Sequence, residues 1–168
     1  VVTEFTFEAT PISTYCFGDS VATTLSGADS YVLSDPTIAI LNGNDVWISA
    51  DQSTVLTITG SFDDCTYDLD IDVVVNQLPV VDVVLPELVC FDSDPIVLNT
   101  GIPNGGVYSV AGIIETTFET SMNPGVYEVI YEYTDQESCT NSDTTFVEIA
   151  ALPLVTLSPQ IDLCNGDP

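Results

Sequence analysis

Residues 126–149 read VYEVIYEYTDQESCTNSDTTFVEI, and this stretch decides the fold class. Tyr127, Val129, Tyr131 and Tyr133 alternate with Glu128, Ile130 and Glu132. A period of two puts alternate side chains on opposite faces of a β-strand, one buried and one mostly wet. A second strand-like run, 144–149, follows a polar connection that contains Cys139. Working outward, strands are expected near 80–85, 96–99, 106–110, 113–118, 126–134 and 144–149. Asn104-Gly105-Gly106, Asn123-Pro124-Gly125 and, earlier, Asn42-Gly43 supply the backbone conformations that turns need. No segment carries a helical period.

The same unit occurs more than once. Cys16, Cys90 and Cys164 are spaced by 74 residues, and so are Cys65 and Cys139. Leu78-Pro79 returns as Leu152-Pro153, and Cys65-Thr66 as Cys139-Thr140. A fixed period of this length marks a tandem array. The expected organisation is a repeat at 1–78, a second at 79–152, and the start of a third at 153–168. Each Leu-Pro joint is stiff, because proline fixes its own backbone and holds the residue before it extended. With six or seven short strands per unit, the fold class is all-β: tandem immunoglobulin-like β-sandwich repeats of about 74 residues, with one disulfide per repeat. The middle of the first unit, 31–51, does not align without a gap. At the fixed offset Leu56 and Ile58 fall opposite Ile130 and Glu132, a reversed parity that a one-residue shift would repair.

Composition narrows the function. The 168 residues include 26 Asp and Glu but no Lys, Arg or His, for a net charge of −26. High charge alone would favour disorder, but 45% hydrophobic residues suffice for packed cores. A 74-residue unit is small enough to need a staple. The charge argues against nucleic acid, which is bound through Lys and Arg, and against anionic membrane surfaces. No run approaches the roughly 20 apolar residues that span a bilayer. Acidic surfaces keep long arrays soluble and mutually repelling.

The cysteines admit more than one pairing. The repeat phase favours Cys16–Cys65 and Cys90–Cys139 within each unit, leaving Cys164 unpaired. The competing link, Cys65–Cys90, would cross a unit boundary and leave Cys16 alone. Buried free thiols are the third reading. Periodic pairing in an acidic β array suits an oxidising, extracellular compartment.

Catalysis is constrained by what is missing. Without histidine there is no Ser-His-Asp or Cys-His machinery, and without lysine no Schiff base. Carboxylate pairs are the remaining chemistry, and none stands in a recognisable catalytic motif, so no enzyme is expected. Asp68, Asp70 and Asp72 would share one face of a strand, a row that does not converge as a calcium site requires. Calcium is therefore an alternative ligand rather than an expected cofactor. Trp47, Tyr127, Tyr131 and Tyr133 are expected to fill sandwich cores.

The run Gly101-Ile102-Pro103-Asn104-Gly105-Gly106-Val107-Tyr108-Ser109, then Asn123-Pro124-Gly125, Tyr131-Glu132-Tyr133-Thr134-Asp135 and Cys139-Thr140, resembles the Ig-like/PKD-like repeats of giant Bacteroidota surface adhesins. Ser138 stands where those repeats usually carry glycine. The resemblance implies export by the type IX system, a place at the cell surface, and a structural stalk that holds a distal adhesive region away from the cell, as in gliding-motility adhesins. It implies as partners the neighbouring repeats of the same chain and other surface or motility proteins. It also implies O-glycosylation at Asp-Ser/Thr motifs, here Ser20 in Asp19-Ser20-Val21 and Thr144 in Asp143-Thr144-Thr145. The alternatives are a ligand- or calcium-binding array, or accessory domains of a secreted hydrolase.

Overall fold

A computed structural model describes residues 5–157. Sixteen strands and no helix occur among them. The described residues up to Val81, together with Glu132–Ser142, form one compact body; Asp82–Tyr131 and the described residues from Asp143 onward form another. Cys164 and most of the expected third repeat lie outside the described residues.

The first body is built from β1 (Glu8–Ala9), β2 (Tyr15–Cys16), β3 (Val21–Ser26), β4 (Ser30–Leu33), β5 (Ala39–Asn42), β6 (Asp45–Ile48), β7 (Thr54–Phe62), β8 (Cys65–Val73) and β9 (Val75–Asn76). One sheet has the order β1-β3-β6-β5 and another β4-β7-β8, with β2 paired to β9. In immunoglobulin terms the sheets are ABED and CFG, the constant-type arrangement. The opening segment changes sheets: β1 runs antiparallel to β3, whereas β2 runs parallel to β9, with Tyr15 beside Val75 and Cys16 beside Asn76. Pro11 lies in the crossing between them, where no ladder hydrogen bond is lost.

Alternation fixes which residues fill this core. On β6, Val46 and Ile48 are buried and their neighbours exposed; on β7, Leu56 and Ile58 are buried. Trp47 therefore points outward, 53% exposed, beside Ala22 and Ile40 on the adjacent strands. This corrects its expected core position: two inward β-branched neighbours leave the residue between them no route to the core. Phe7 takes the central aromatic place, edge-on to Tyr31 at 5.4 Å and Tyr67 at 6.0 Å. Gly60 is required beneath it, since a Cβ there would lie 2.5 Å from the Phe7 ring. The Tyr15 hydroxyl accepts the Ala50 N–H at 2.8 Å and donates to the Ala50 carbonyl at 3.3 Å.

The second sequence repeat contains β10 (Leu88–Cys90), β11 (Ile96–Val97), β12 (Val107–Val110), β13 (Ile113–Ile114), β14 (Thr117–Phe118), β15 (Gly125–Thr134) and β16 (Thr140–Ala150), and β13 pairs with β12 where β5 of the first repeat pairs with β6. Its sheets are β10-β16-β15-β12-β13 and β11-β14. The run expected at 80–85 contributes a single bridge, Asp82 to Ile102, and the run at 113–118 divides into two short strands. Tyr131 is buried, while Tyr127 and Tyr133 are half-buried. The Tyr131 ring lies 4.6 Å from that of Tyr108 and covers Gly101, where a Cβ would lie 2.5 Å from the ring. Its hydroxyl accepts the Gly106 N–H at 2.7 Å and donates to the Pro103 carbonyl.

The reversed parity of the two repeats has a local cause. In the first hairpin Phe62 faces Cys65 across the two residues Asp63-Asp64. In the second, Asp135 N–H donates to the Cys139 carbonyl at 3.0 Å across Gln136–Ser138, a three-residue connection. The extra residue moves β15 by one position relative to β16. Val129 and Tyr131 consequently take the inward places that Leu56 and Ile58 hold on β7. Ser138, with φ 68°, occupies the left-handed position that usually closes such a turn.

A chain without cationic side chains settles its carboxylates by other means. Thr57 donates to Asp70 at 2.7 Å and Thr59 to Asp68 at 2.6 Å across β7 and β8, and Thr24 donates to Asp45 at 2.8 Å. Asp68 and Asp70 of the acidic row on β8 are thus partnered by threonine hydroxyls. Among the described residues no group of three or more His, Cys, Asp or Glu is arranged to hold a metal ion.

Candidate functional site

The chemistry concentrated in this chain is that of its thiols. Cys16 is bonded to Cys139, with S–S 1.98 Å, Cα–Cα 5.6 Å and a sequence separation of 123. Cys65 and Cys90 are free and exposed. The expected links Cys16–Cys65 and Cys90–Cys139 are therefore not made. One bond joins the first-strand cysteine of the first sequence repeat to the hairpin-turn cysteine of the second.

The strand directions explain the correction. Cys65 opens β8, and the chain runs eleven residues further, nearly all in strand, to Asn76. Cys16 sits beside Asn76 because β2 is parallel to β9. At roughly 3.3 Å per residue, Cys16 and Cys65 are separated by about 35 Å, whereas a disulfide needs Cα atoms within about 7 Å. The second repeat reproduces this register exactly one period later: Cys90 pairs with Ala150 on β16, again eleven residues beyond Cys139. An antiparallel opening strand would have brought the two cysteines of one repeat to the same end. The parallel one sends them to opposite ends.

The bonded tip is held on several sides. Cys139 is fully buried. Its N–H donates to the Asp135 carboxylate at 2.8 Å, which closes the turn, and Ser138 N–H donates to the Asp135 carbonyl at 3.2 Å. Cys139 Sγ lies 4.0 Å from the Asn76 carbonyl, and Asn141 Nδ2 donates to the Pro79 carbonyl at 2.9 Å. Ser49, Asp19 and Ser20 line the depression around Cys16, together with Glu137 and Ser138 of the tip.

Ser20 and Thr144, the expected modification sites, are both exposed. They differ in setting. Ser20 immediately precedes β3, whereas Thr144 lies within β16, and its neighbour Asp143 accepts the Val83 N–H at 2.9 Å.

The sequence matches no protein-family model and no curated protein. Among solved structures it is similar to the titin domains Z1Z2 in complex with telethonin, at 11% identity and a TM-score of 0.33, over 88% of this chain and 98% of that one. It is similar also to titin A168–A169, at 11% identity and 0.32 over 88% and 99%, and to the titin tandem A164–A165, at 10% and 0.29 over 88% and 100%. The immunoglobulin-like assignment rests on the strand order given above.

Proposed function

We propose that this chain is a spacer segment of a repetitive extracellular surface protein, a stalk whose repeats hold a distal adhesive region away from the cell. The observation that carries the reading is the Cys16–Cys139 bond. It ties one sequence repeat to the next and shields the intervening residues from extension. The repeats 1–78 and 79–152 are the units of the stalk. Their acidity resists clumping, and the absence of Lys and Arg removes every trypsin-type cleavage site. Export by the type IX route, a role in gliding motility and glycans on Ser20 and Thr144 follow from the family resemblance and belong to the same reading.

A force measurement tests it. When the chain is pulled by its two ends, the 123-residue span between the bonded cysteines is withheld. At about 3.3–3.6 Å per extended residue this amounts to roughly 40 nm. The reduced chain should extend by that much more than the oxidised one; equal extension would remove the mechanical role. A calcium-binding array would instead gain thermal stability on addition of millimolar calcium. The stalk reading expects no change.

A further inference from the structure

The two free cysteines are the same two positions that are bonded to one another elsewhere in the chain. Cys65 stands one period before Cys139, at the turn of the equivalent hairpin. Cys90 stands one period after Cys16, in the same parallel register against the same final strand. Both are exposed, and neither can reach its own repeat's other cysteine along the strand that separates them. The phase does not stop at the second repeat: Leu152 to Pro168 follows the pattern of Leu78 to Pro95, with Cys164 at the position of Cys90.

From this we propose that Cys65 and Cys90 are cross-linking sites for adjoining repeats. Cys65 bonds the first-strand cysteine of the repeat before it, and Cys90 bonds the hairpin-turn cysteine of the repeat after the second. Every repeat is then stapled to both neighbours by the bond seen once here. Each bond forms by thiol–disulfide exchange with a disulfide-carrying oxidant. One cysteine thiolate attacks the oxidant's disulfide and expels a thiolate; the second cysteine then displaces the remaining half. Two protein thiols are oxidised, the oxidant leaves as two thiols, and the two protons pass to them.

The consequence differs in kind from stapling within repeats. Bonds spanning 123 residues and recurring every 74 overlap, so every peptide bond in the array's interior lies inside at least one closed loop. A single proteolytic nick cannot part such an array. Under tension, the extensible path between successive staples is the 25 residues from a hairpin-turn cysteine to the next first-strand cysteine, as from Cys139 to Cys164, once per two repeats. Stapling within repeats would expose a stretch of that length in every repeat.

The test extends the chain in phase. One variant carries a second copy of residues 79–152 after Leu152; another carries a copy of residues 1–74 before Val1. Both, and the unextended chain, are equilibrated in a buffer of reduced glutathione and glutathione disulfide, alkylated under denaturing conditions and mapped without reduction. In the unextended chain, Cys65 and Cys90 should be alkylated and Cys16 linked to Cys139. With the repeat added behind, Cys90 should become protected and linked to the added hairpin-turn cysteine, while Cys65 stays alkylated. With the repeat added in front, the two exchange behaviour. Free Cys90 and free Cys65 in the respective variants, with Cys16–Cys139 intact, would overturn the proposal. So would a Cys16–Cys65 or Cys65–Cys90 link in the unextended chain, a result that stands even if neither extension folds. The inference needs the repeat phase but not the stalk role, so a gain of stability on addition of calcium would refute the stalk reading while leaving the bonding pattern untouched.

Discussion

Cys65 and Cys139 occupy the same place in two hairpins one period apart, yet one is an exposed thiol and the other a fully buried half of a disulfide. Their own hairpins do not account for the difference. Both connections are short, and both contain one non-glycine residue in the left-handed region, Asp63 at φ 50° and Ser138 at φ 68°. What separates them is what meets the tip: the end of β2 beside Asn76 in one case, and solvent in the other. The lesson is that the functional unit of the cysteine pattern is not a repeat. It is the seam from the first-strand cysteine of one repeat to the hairpin of the next.

The sharpest way to break this comparison is to remove each cysteine in turn. Cys139→Ser releases a 123-residue loop and should cost about 4–5 kcal/mol in denaturant unfolding, by the loop-entropy estimate. Cys65→Ser, at the matching position, should stay within about 0.5 kcal/mol, as exposed substitutions usually do. Equal losses would mean that the two tips are equivalent after all.

Next in size are the two glycines that lie under aromatic rings. Gly60→Ala drives a methyl into Phe7, and Gly101→Ala drives one into Tyr131, each with an approach of 2.5 Å. Overpacking of this kind costs roughly 1–3 kcal/mol. Phe7 is held by ring packing on Tyr31 and Tyr67 alone, while Tyr131 is also pinned by its hydroxyl to Gly106 and Pro103. The ring that can move should yield more, so the loss at Gly101 should exceed that at Gly60 in thermal unfolding.

The turns sharpen the comparison further. Ser138→Gly should stabilise by roughly 0.5–1 kcal/mol, because glycine adopts the left-handed conformation without steric cost. Asp63→Gly should gain less, since aspartate tolerates that region better than serine. The smallest effect belongs to the connection after β4. The Thr37 hydroxyl, at 2.6 Å, and then the Thr37 N–H, at 2.8 Å, hold the exposed Asp35 carboxyl below its ordinary value of 3.8. A lowered folded value contributes stability that is complete above the unfolded pKa and is lost as pH falls through the folded one. In an NMR titration, Thr37→Val should raise the Asp35 midpoint toward the ordinary value, with a small loss of stability that is present above about pH 4 and disappears in acid as the carboxyl protonates.

Much of the fold was legible in the sequence, for reasons visible at particular residues. The alternation at 126–134 is a long period-two signal, and it became the ten-residue β15. Asn42-Gly43 and Asn104-Gly105 marked real turns, with Gly43 at φ 65° and Gly105 at φ 103°. The cysteine period marked equivalent positions, since Cys16 and Cys90 take the same parallel register one period apart. The pairing was not legible, because it depends on the direction of β2 and β10, strands of two and three residues. Segments that short carry no directional signal of their own, and their parallel pairing is a property of the whole sandwich. Trp47 was misread for a similar reason. Its bulk suggested a core, but Val46 and Ile48 on either side had already claimed the inward face.

The most direct measurement cuts the chain once. A specific protease site placed at the exposed Pro86-Glu87, between Cys65 and Cys90, divides the two repeats. After cleavage and denaturation without reductant, the account predicts that the pieces stay joined through Cys16–Cys139 and separate only on reduction. Two pieces that part without reductant would mean that no bond joins the two repeats, and the seam would not exist.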